Sequence, residues 1–262
     1  MILEPYNGYM DETEQSICPE EAGSDQIFGI SGYVNTYDGW IEFGKVWQPF
    51  LESKGIKVFH MTDFLARNPP YDWDDHIRDN FIGELTSIAE KKAGIGVGCV
   101  IRKSQYADII LPRIPTKDWE RDAYYFCAWG CFVQLLDWQD TIEFEKPFRF
   151  LFENRDKVKG GTKQLYDYIR DNIKGGNLFG EIAFGPKDQN YPGLQAADLI
   201  AYSAGRDLVD QAKGKPMMFK PLEKLAKRKR LLITYPTKDN LEKFIEFAKM
   251  VGAVSGDDLT FT

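Results

Sequence analysis

The sequence predicts an α/β fold: one mixed sheet flanked by helices, with a helical insertion near residues 39–92. Three observations predict it. Short apolar runs bounded by turn residues read as strands, among them IFGISGYV from Ile27 to Val34, IGVGCVI from Ile95 to Ile101 and FRFLFE from Phe148 to Glu153. In the second half of the chain strands and helices alternate, the pattern of an α/β sheet. In the first half two strand candidates flank a polar turn region and read as a hairpin, so strand directions are mixed.

The elements follow in order. Tyr6 to Glu12 is the first strand candidate, and Thr13 to Gln26 holds the turn residues before the second. Gly39 to Ser53 places Trp40, Phe43, Val46, Trp47, Phe50 and Leu51 at helical spacing, with Lys54-Gly55 as a stop. Ile56 to Met61 reads as a brief extended piece, Asn68-Pro69-Pro70 as a surface loop, and about Asp74 to Lys92 as a helix. Acids at the start of that helix suit its positive dipole end and make His76 surface structure. Trp119 to Trp138 is a long aromatic-rich helix in which Cys127 and Cys131 share a face and read as core packing. Gly160-Gly161-Thr162-Lys163 lacks the spacing of a phosphate-binding loop and reads as a capped start to a helix from Thr162 to Ile173. A strand from Glu181 to Phe184, a helix from Gly193 to Asp210 and a last helix from Asn240 to Met250 complete the pattern. Residues 1–212 read as one domain, with 213–262 a basic segment and C-terminal helix packed on it.

Composition narrows the classes. With 262 residues, 43% of them hydrophobic, the chain can bury a full core. No apolar run approaches the ~20 residues that span a bilayer, and the first residues are mixed and acidic, so the expectation is a soluble, cytoplasmic protein with no membrane partner. Four cysteines without a CxxC pair predict reduced thiols. The chain carries 33 basic and 40 acidic residues, a net charge of −7, yet residues 213–230 hold eight basic residues against Glu223, locally +7, which leaves −14 on the rest. That stretch, Lys213 to Arg230, is either a solvated helix face or the wall of a nucleic-acid groove.

Three carboxylates stand out. In LQAADLIAYSA, Asp198 shares a stripe with Leu194, Ala197, Ala201 and Gly205, so a carboxylate is set into a core-facing surface. Left alone it would cost several kcal/mol or take up a proton, and so it needs an ion pair to lysine or arginine, hydrogen-bond donors or a metal. Glu153 ends its strand at the edge where α/β folds place ligand chemistry, and Asp11 ends the first strand candidate. Positions of these kinds can converge on one sheet edge. Two carboxylates about 4 Å apart repel by roughly 4 kcal/mol at an effective dielectric of 20, so the gathered set requires a divalent cation or shared protons. Hard oxygen ligands select Mg²⁺ or Mn²⁺ over zinc. His60 reads either as an acid-base residue or partner beside the carboxylates, or as packing where the strand meets the loop.

In their order these residues resemble the bacterial family of domains of unknown function numbered 3800, whose fold is similar to ribonuclease H. Its members open with a strand ending in D-E-S-G; here Asp11-Glu12-Thr13-Glu14 keeps both acids and replaces the last two residues. A helix containing tryptophan, a histidine segment like Phe59-His60-Met61-Thr62-Asp63-Phe64, a strand ending in Phe152-Glu153 and a Q-x-A-D helix, Gln195-Ala196-Ala197-Asp198, follow. The resemblance covers about residues 6–210. It implies that Asp11, Glu153 and Asp198 stand where ribonuclease H-like enzymes hold two divalent ions for phosphodiester hydrolysis, with Glu12 as a further ligand or neighbour.

The leading expectation is therefore a Mg²⁺- or Mn²⁺-dependent nuclease in which Asp11, Glu12, Glu153 and Asp198 hold metal and His60 assists proton transfer. One rival is a non-catalytic nucleic-acid- or partner-binding module of the same fold. The other is a glycosidase using an acid and base pair without metal.

Overall fold

A computed structural model describes residues 4–21, 24–110, 112–113, 119–141, 146–154, 159–215, 222, 230–250, 254–255 and 258–259, with side chains for 4–21, 24–110, 112–113, 123–141, 146–154, 159–215, 222 and 230–246. Strands β1 (Tyr6–Ser16) and β2 (Gln26–Thr36) pair antiparallel along their whole length, from Tyr6↔Thr36 to Ser16↔Gln26. β2 also pairs antiparallel with β3 (Ile95–Arg102). On the other side of β1, β4 (Phe148–Glu153) runs parallel from Tyr6↔Phe148 to Met10↔Phe152, and β5 (Phe179–Gly185) runs parallel to β4. β6 (Leu231–Thr234) adds in parallel to β3. The result is one six-stranded mixed sheet in the order β5-β4-β1-β2-β3-β6. The short strands β7 (Val254–Ser255) and β8 (Asp258–Leu259) form a separate antiparallel pair.

The helices are α1 (Tyr37–Glu52), α2 (Met61–Ala66), α3 (Asp75–Lys92), α4 (Lys103–Ile109), α5 (Trp119–Gln139), α6 (Lys159–Asn172), α7 (Pro192–Ala212) and α8 (Lys238–Met250). The alternation of strand side chains sends them to two cores. Met10, Phe28, Ile30, Val97 and Cys99 meet Phe126, Cys127, Cys131 and Phe132 of α5, with α6 and α8 beside them. Ile27, Tyr33 and Val100 meet α1, α3 and α7 on the opposite face. Cys127 and Cys131 are core thiols whose sulfurs face the Phe28 and Ile30 carbonyls of β2. α8 docks Phe244 edge-on against Phe126, with ring centroids 4.9 Å apart.

Capping sets two helix starts. Thr36 accepts from the Gly39 amide at the start of α1, and Asp74 accepts from the Ile77 amide at the start of α3. α1 buries Trp40, Phe43, Trp47 and Leu51 while Val46 is exposed, so the apolar stripe is narrower than the spacing predicts.

Several expectations change. β1 does not end at Glu12. It continues to Ser16 in register with β2, and its polar side chains have partners: the Gln15 amide donates to the Tyr202 carbonyl and to Thr13 Oγ1. Ile56 to Met61 forms no strand, and Met61 opens α2. The Asn68-Pro69-Pro70 loop is exposed as expected, while Phe59, Met61, Phe64 and Tyr71 around it are buried in the second core. Gly160 and Gly161 lie within the first turn of α6 rather than before it. The short strand β6 and helix α4 carry too few apolar residues to show a period.

α7 lies along the second half of β1 with small residues between them. A Cβ on Gly193 would sit 2.4 Å from the Tyr9 ring, and one on Gly205 would sit 2.9 Å from Thr13 Cγ2. Ala197 and Ala201, fully buried, continue the same stripe at four-residue spacing. Replacing Gly193 with Val should push α7 off β1 and cost about 1–3 kcal/mol by overpacking. Urea unfolding of this variant beside the wild type measures the cost, and an unchanged midpoint would contradict the close approach.

Candidate functional site

Asp11 lies opposite Ser31 of β2, one residue beyond the last β1/β4 pair, Met10↔Phe152. Glu153 is the residue after Phe152 and pairs with Gly185 of β5. The parallel ladder thus opens at Asp11 and Glu153. Strand alternation turns Tyr9, Asp11 and Thr13 toward α7, and α7 presents Asp198 to the same place.

A fourth residue fills the centre. Lys187 follows β5 through Pro186, and its Nζ lies 2.7 Å from Asp11 Oδ2, 3.0 Å from Asp198 Oδ2 and 3.3 Å from Glu153 Oε2. The Lys187 and Asp11 side chains are only 6% and 2% exposed, so this is not a screened surface pair. Removing one partner of such a buried pair costs about 3–5 kcal/mol. The ion-pair alternative for Asp198 is therefore realised, by a lysine that touches all three carboxylates at once.

The remaining oxygens are set by backbone donors. Asp198 Oδ2 also accepts from the Met61 amide at 2.9 Å, and Asp11 Oδ1 accepts from the Glu12 amide at 2.9 Å. Asp11 Oδ2 has a charge contact with Lys187 but no aligned hydrogen-bond donor. Burial pushes the Asp11 carboxyl well above the usual carboxylate range, with Asp198, Glu153 and Glu12 adding to the rise and Lys187 opposing it. Burial also opposes ionisation of Glu153, but a hydrogen bond from Asp11 and the charge of Lys187 outweigh it and lower its pKa. Burial would discharge Lys187, but Asp11, Asp198 and Glu153 more than reverse this and hold it charged.

Glu12 completes a tight group: one oxygen each from Asp11, Glu12 and Glu153 lie within 4.8 Å of one another. These three, with Asp198 across Lys187, are the residues that could hold a divalent ion. The donor set is all oxygen, which suits a hard divalent cation. His60 is half-buried beside the same cleft, near enough for its charge to lower the Glu153 pKa slightly. Asp63 instead accepts from Asn68 on the outer side. The cleft has a volume of about 740 Å³ and is lined by the acids together with Met61, Thr62, Leu65 and Ala66 of α2.

Gln195 of the Q-x-A-D sequence ties these parts together. Fully buried, its Oε1 accepts from the Phe59 amide at 2.8 Å and from Trp47 Nε1 at 3.2 Å, while its Nε2 donates to the Asp188 carbonyl at 3.0 Å. Phe59 precedes His60 and Asp188 follows Lys187, so one side chain fixes the backbone beside both.

The basic segment behaves differently at its two described ends; Lys220, Lys224, Lys227, Arg228 and Lys229 lie outside the described residues. Lys213 is fifteen residues beyond Asp198 on α7, about 22 Å along the axis at 1.5 Å per residue. Arg230 borders a different hollow, with Tyr6, Asn35, Lys91 and Lys92, at the start of β1 and β3. Neither end lines the acidic cleft. Among the described residues no helix is long and apolar enough to cross a membrane.

No protein-family model matches the chain, and no curated protein is similar to it in sequence. Sequence reasoning missed Lys187. The available signal was Gly185-Pro186-Lys187, a lysine just past a strand end at the sheet edge where unpaired acids were expected. Replacing Gln195 with Leu should leave two donors and one acceptor unpaired in the interior and cost about 2–4 kcal/mol, at 1–3 per unsatisfied group with partial relaxation. Denaturant unfolding tests this, and a loss below about 0.5 kcal/mol would contradict the tether.

Proposed function

We propose that the protein is a divalent-metal-dependent phosphodiester hydrolase of ribonuclease H-like fold acting on RNA or DNA. The observation that carries this reading is the meeting of Asp11, Glu153 and Asp198, from two strands and a helix, around one cation position at a single sheet edge. A mixed sheet with an antiparallel β1-β2-β3 unit and parallel β4 and β5 is compatible with that fold. The likeness in order of Asp11-Glu12, Phe152-Glu153 and Gln195-x-Ala197-Asp198 to the family numbered 3800 supports it further.

In this reading Asp11, Glu12, Glu153 and Asp198 hold Mg²⁺ or Mn²⁺. Bound there, such ions supply a water ionised near neutral pH and positive charge for the leaving oxygen. The chain's own groups do the rest. Asp11 Oδ1 is oriented by the Glu12 amide, and Asp198 by the Met61 amide. His60, held between the Phe59 and Met61 tethers, faces the cleft and moves a proton to or from the reacting oxygens.

A second reading, a non-catalytic binding module of the same fold, draws on Lys187, which already compensates the carboxylates in part. It predicts nucleic-acid or partner binding that survives EDTA and Asp11→Asn. The hydrolase reading predicts cleavage of RNA or DNA with Mg²⁺ or Mn²⁺ that EDTA abolishes. Asp198→Asn should abolish it while circular dichroism stays unchanged, and His60→Ala should lower the rate by about 10²–10⁴. Retained activity in a folded Asp198→Asn protein would remove the assignment.

A further inference from the structure

Lys187 occupies the point from which a single cation reaches three carboxylates on three different elements. A divalent ion held by the same oxygens cannot share that point with an ammonium, because the two charges repel. Lys187 does not sit on a strand or helix: it lies in the connection between β5 and α7. Gln195 grips the backbone at Asp188, so the anchor stays fixed while the four-carbon side chain pivots. The adjoining cleft gives the side chain somewhere to go. Among the described residues lining it there is no other lysine or arginine.

We infer that Lys187 and a divalent cation are exchangeable occupants of one carboxylate cage: the ammonium holds the cage in the metal-free protein, and metal binding turns it out into the cleft to meet an anionic substrate. The inference rests on the reading of this cage as a metal site. It assigns Lys187 two successive tasks. In the free protein it prevents the carboxylates from repelling one another. In the loaded protein its charge stands beside the metal where a phosphodiester oxygen arrives, as a point charge suited to phosphate.

The test is a Mn²⁺ titration of the full chain, by calorimetry or by the loss of the free-ion resonance signal, for wild type, Lys187→Met and Asp198→Asn. Methionine keeps an unbranched side chain one atom shorter and removes the competing charge. Lys187→Met should bind Mn²⁺ about tenfold or more tightly than wild type, because the occupied state no longer subtracts from affinity. Its metal-free form should melt lower than wild type and gain more from Mn²⁺. If wild type binds Mn²⁺ and a folded Lys187→Met binds with equal or weaker affinity, the exchange is wrong while the metal site stands. If neither binds more tightly than Asp198→Asn, the metal reading fails and takes the exchange with it.

Should Lys187→Met not fold, wild type alone decides. Acetic anhydride labelling read by mass spectrometry should show Lys187 acetylation rising severalfold at saturating Mn²⁺, with exposed Lys45 as the constant reference. Unchanged or reduced labelling of Lys187 with Mn²⁺ bound would overturn the exchange.

Discussion

Negative charge held away from water is the constraint around which this site is built. Asp11 is almost wholly buried, and Glu12, Glu153 and Asp198 crowd it. Unit charges 4 Å apart repel by roughly 4 kcal/mol at an effective dielectric of 20, and each further acid adds a pair. Among the described residues the Lys187 ammonium is the positive charge that touches Asp11, Glu153 and Asp198 together. One cation against three carboxylates separates this cluster from a simple one-to-one buried salt bridge.

The geometry that enforces the crowding is a property of the backbone. β1 outruns β4, so the parallel ladder opens just where Asp11 and Glu153 stand side by side. α7 can lie against β1 only because Gly193, Ala197, Ala201 and Gly205 present almost no side chain there, and this brings Asp198 within reach. Larger residues on the stripe would relieve the repulsion by moving Asp198 away. The small stripe therefore trades apolar contact area for proximity of charge, which a helix selected for stability alone would not do.

Much of this was legible in the sequence because burial leaves a period. The apolar run of β3, the alternation of β4 and the stripe of α7 each record a face turned to a core, and Asp198 stood out as the charge that broke such a stripe. The full extent of β1 was not legible. Thr13 and Gln15 are polar and carry no apolar alternation, and they are strand residues through the ladder with β2, with α7 packed over them. The extended segment before α2 has no local signal for its path: it is fixed by the Gln195 and Asp198 side chains rather than by a ladder. Lys187 went unseen because a lone lysine in a loop has no local signature. Its role exists only once β5 is placed beside β4.

Asp198 also joins the charge of the site to α2, which lines the same cleft. Its Oδ2 is divided between the Lys187 ammonium and the Met61 amide, the first residue of α2. When an oxygen serves two donors, drawing its electron density toward one weakens the other. His60 stands immediately before Met61, and Leu65 of the same short helix lines the cleft. The oxygen that holds the Lys187 ammonium therefore also anchors the start of α2. His60 is thus the neighbour of a residue whose backbone is tied to the carboxylate cluster, and the acids and the histidine share one anchor.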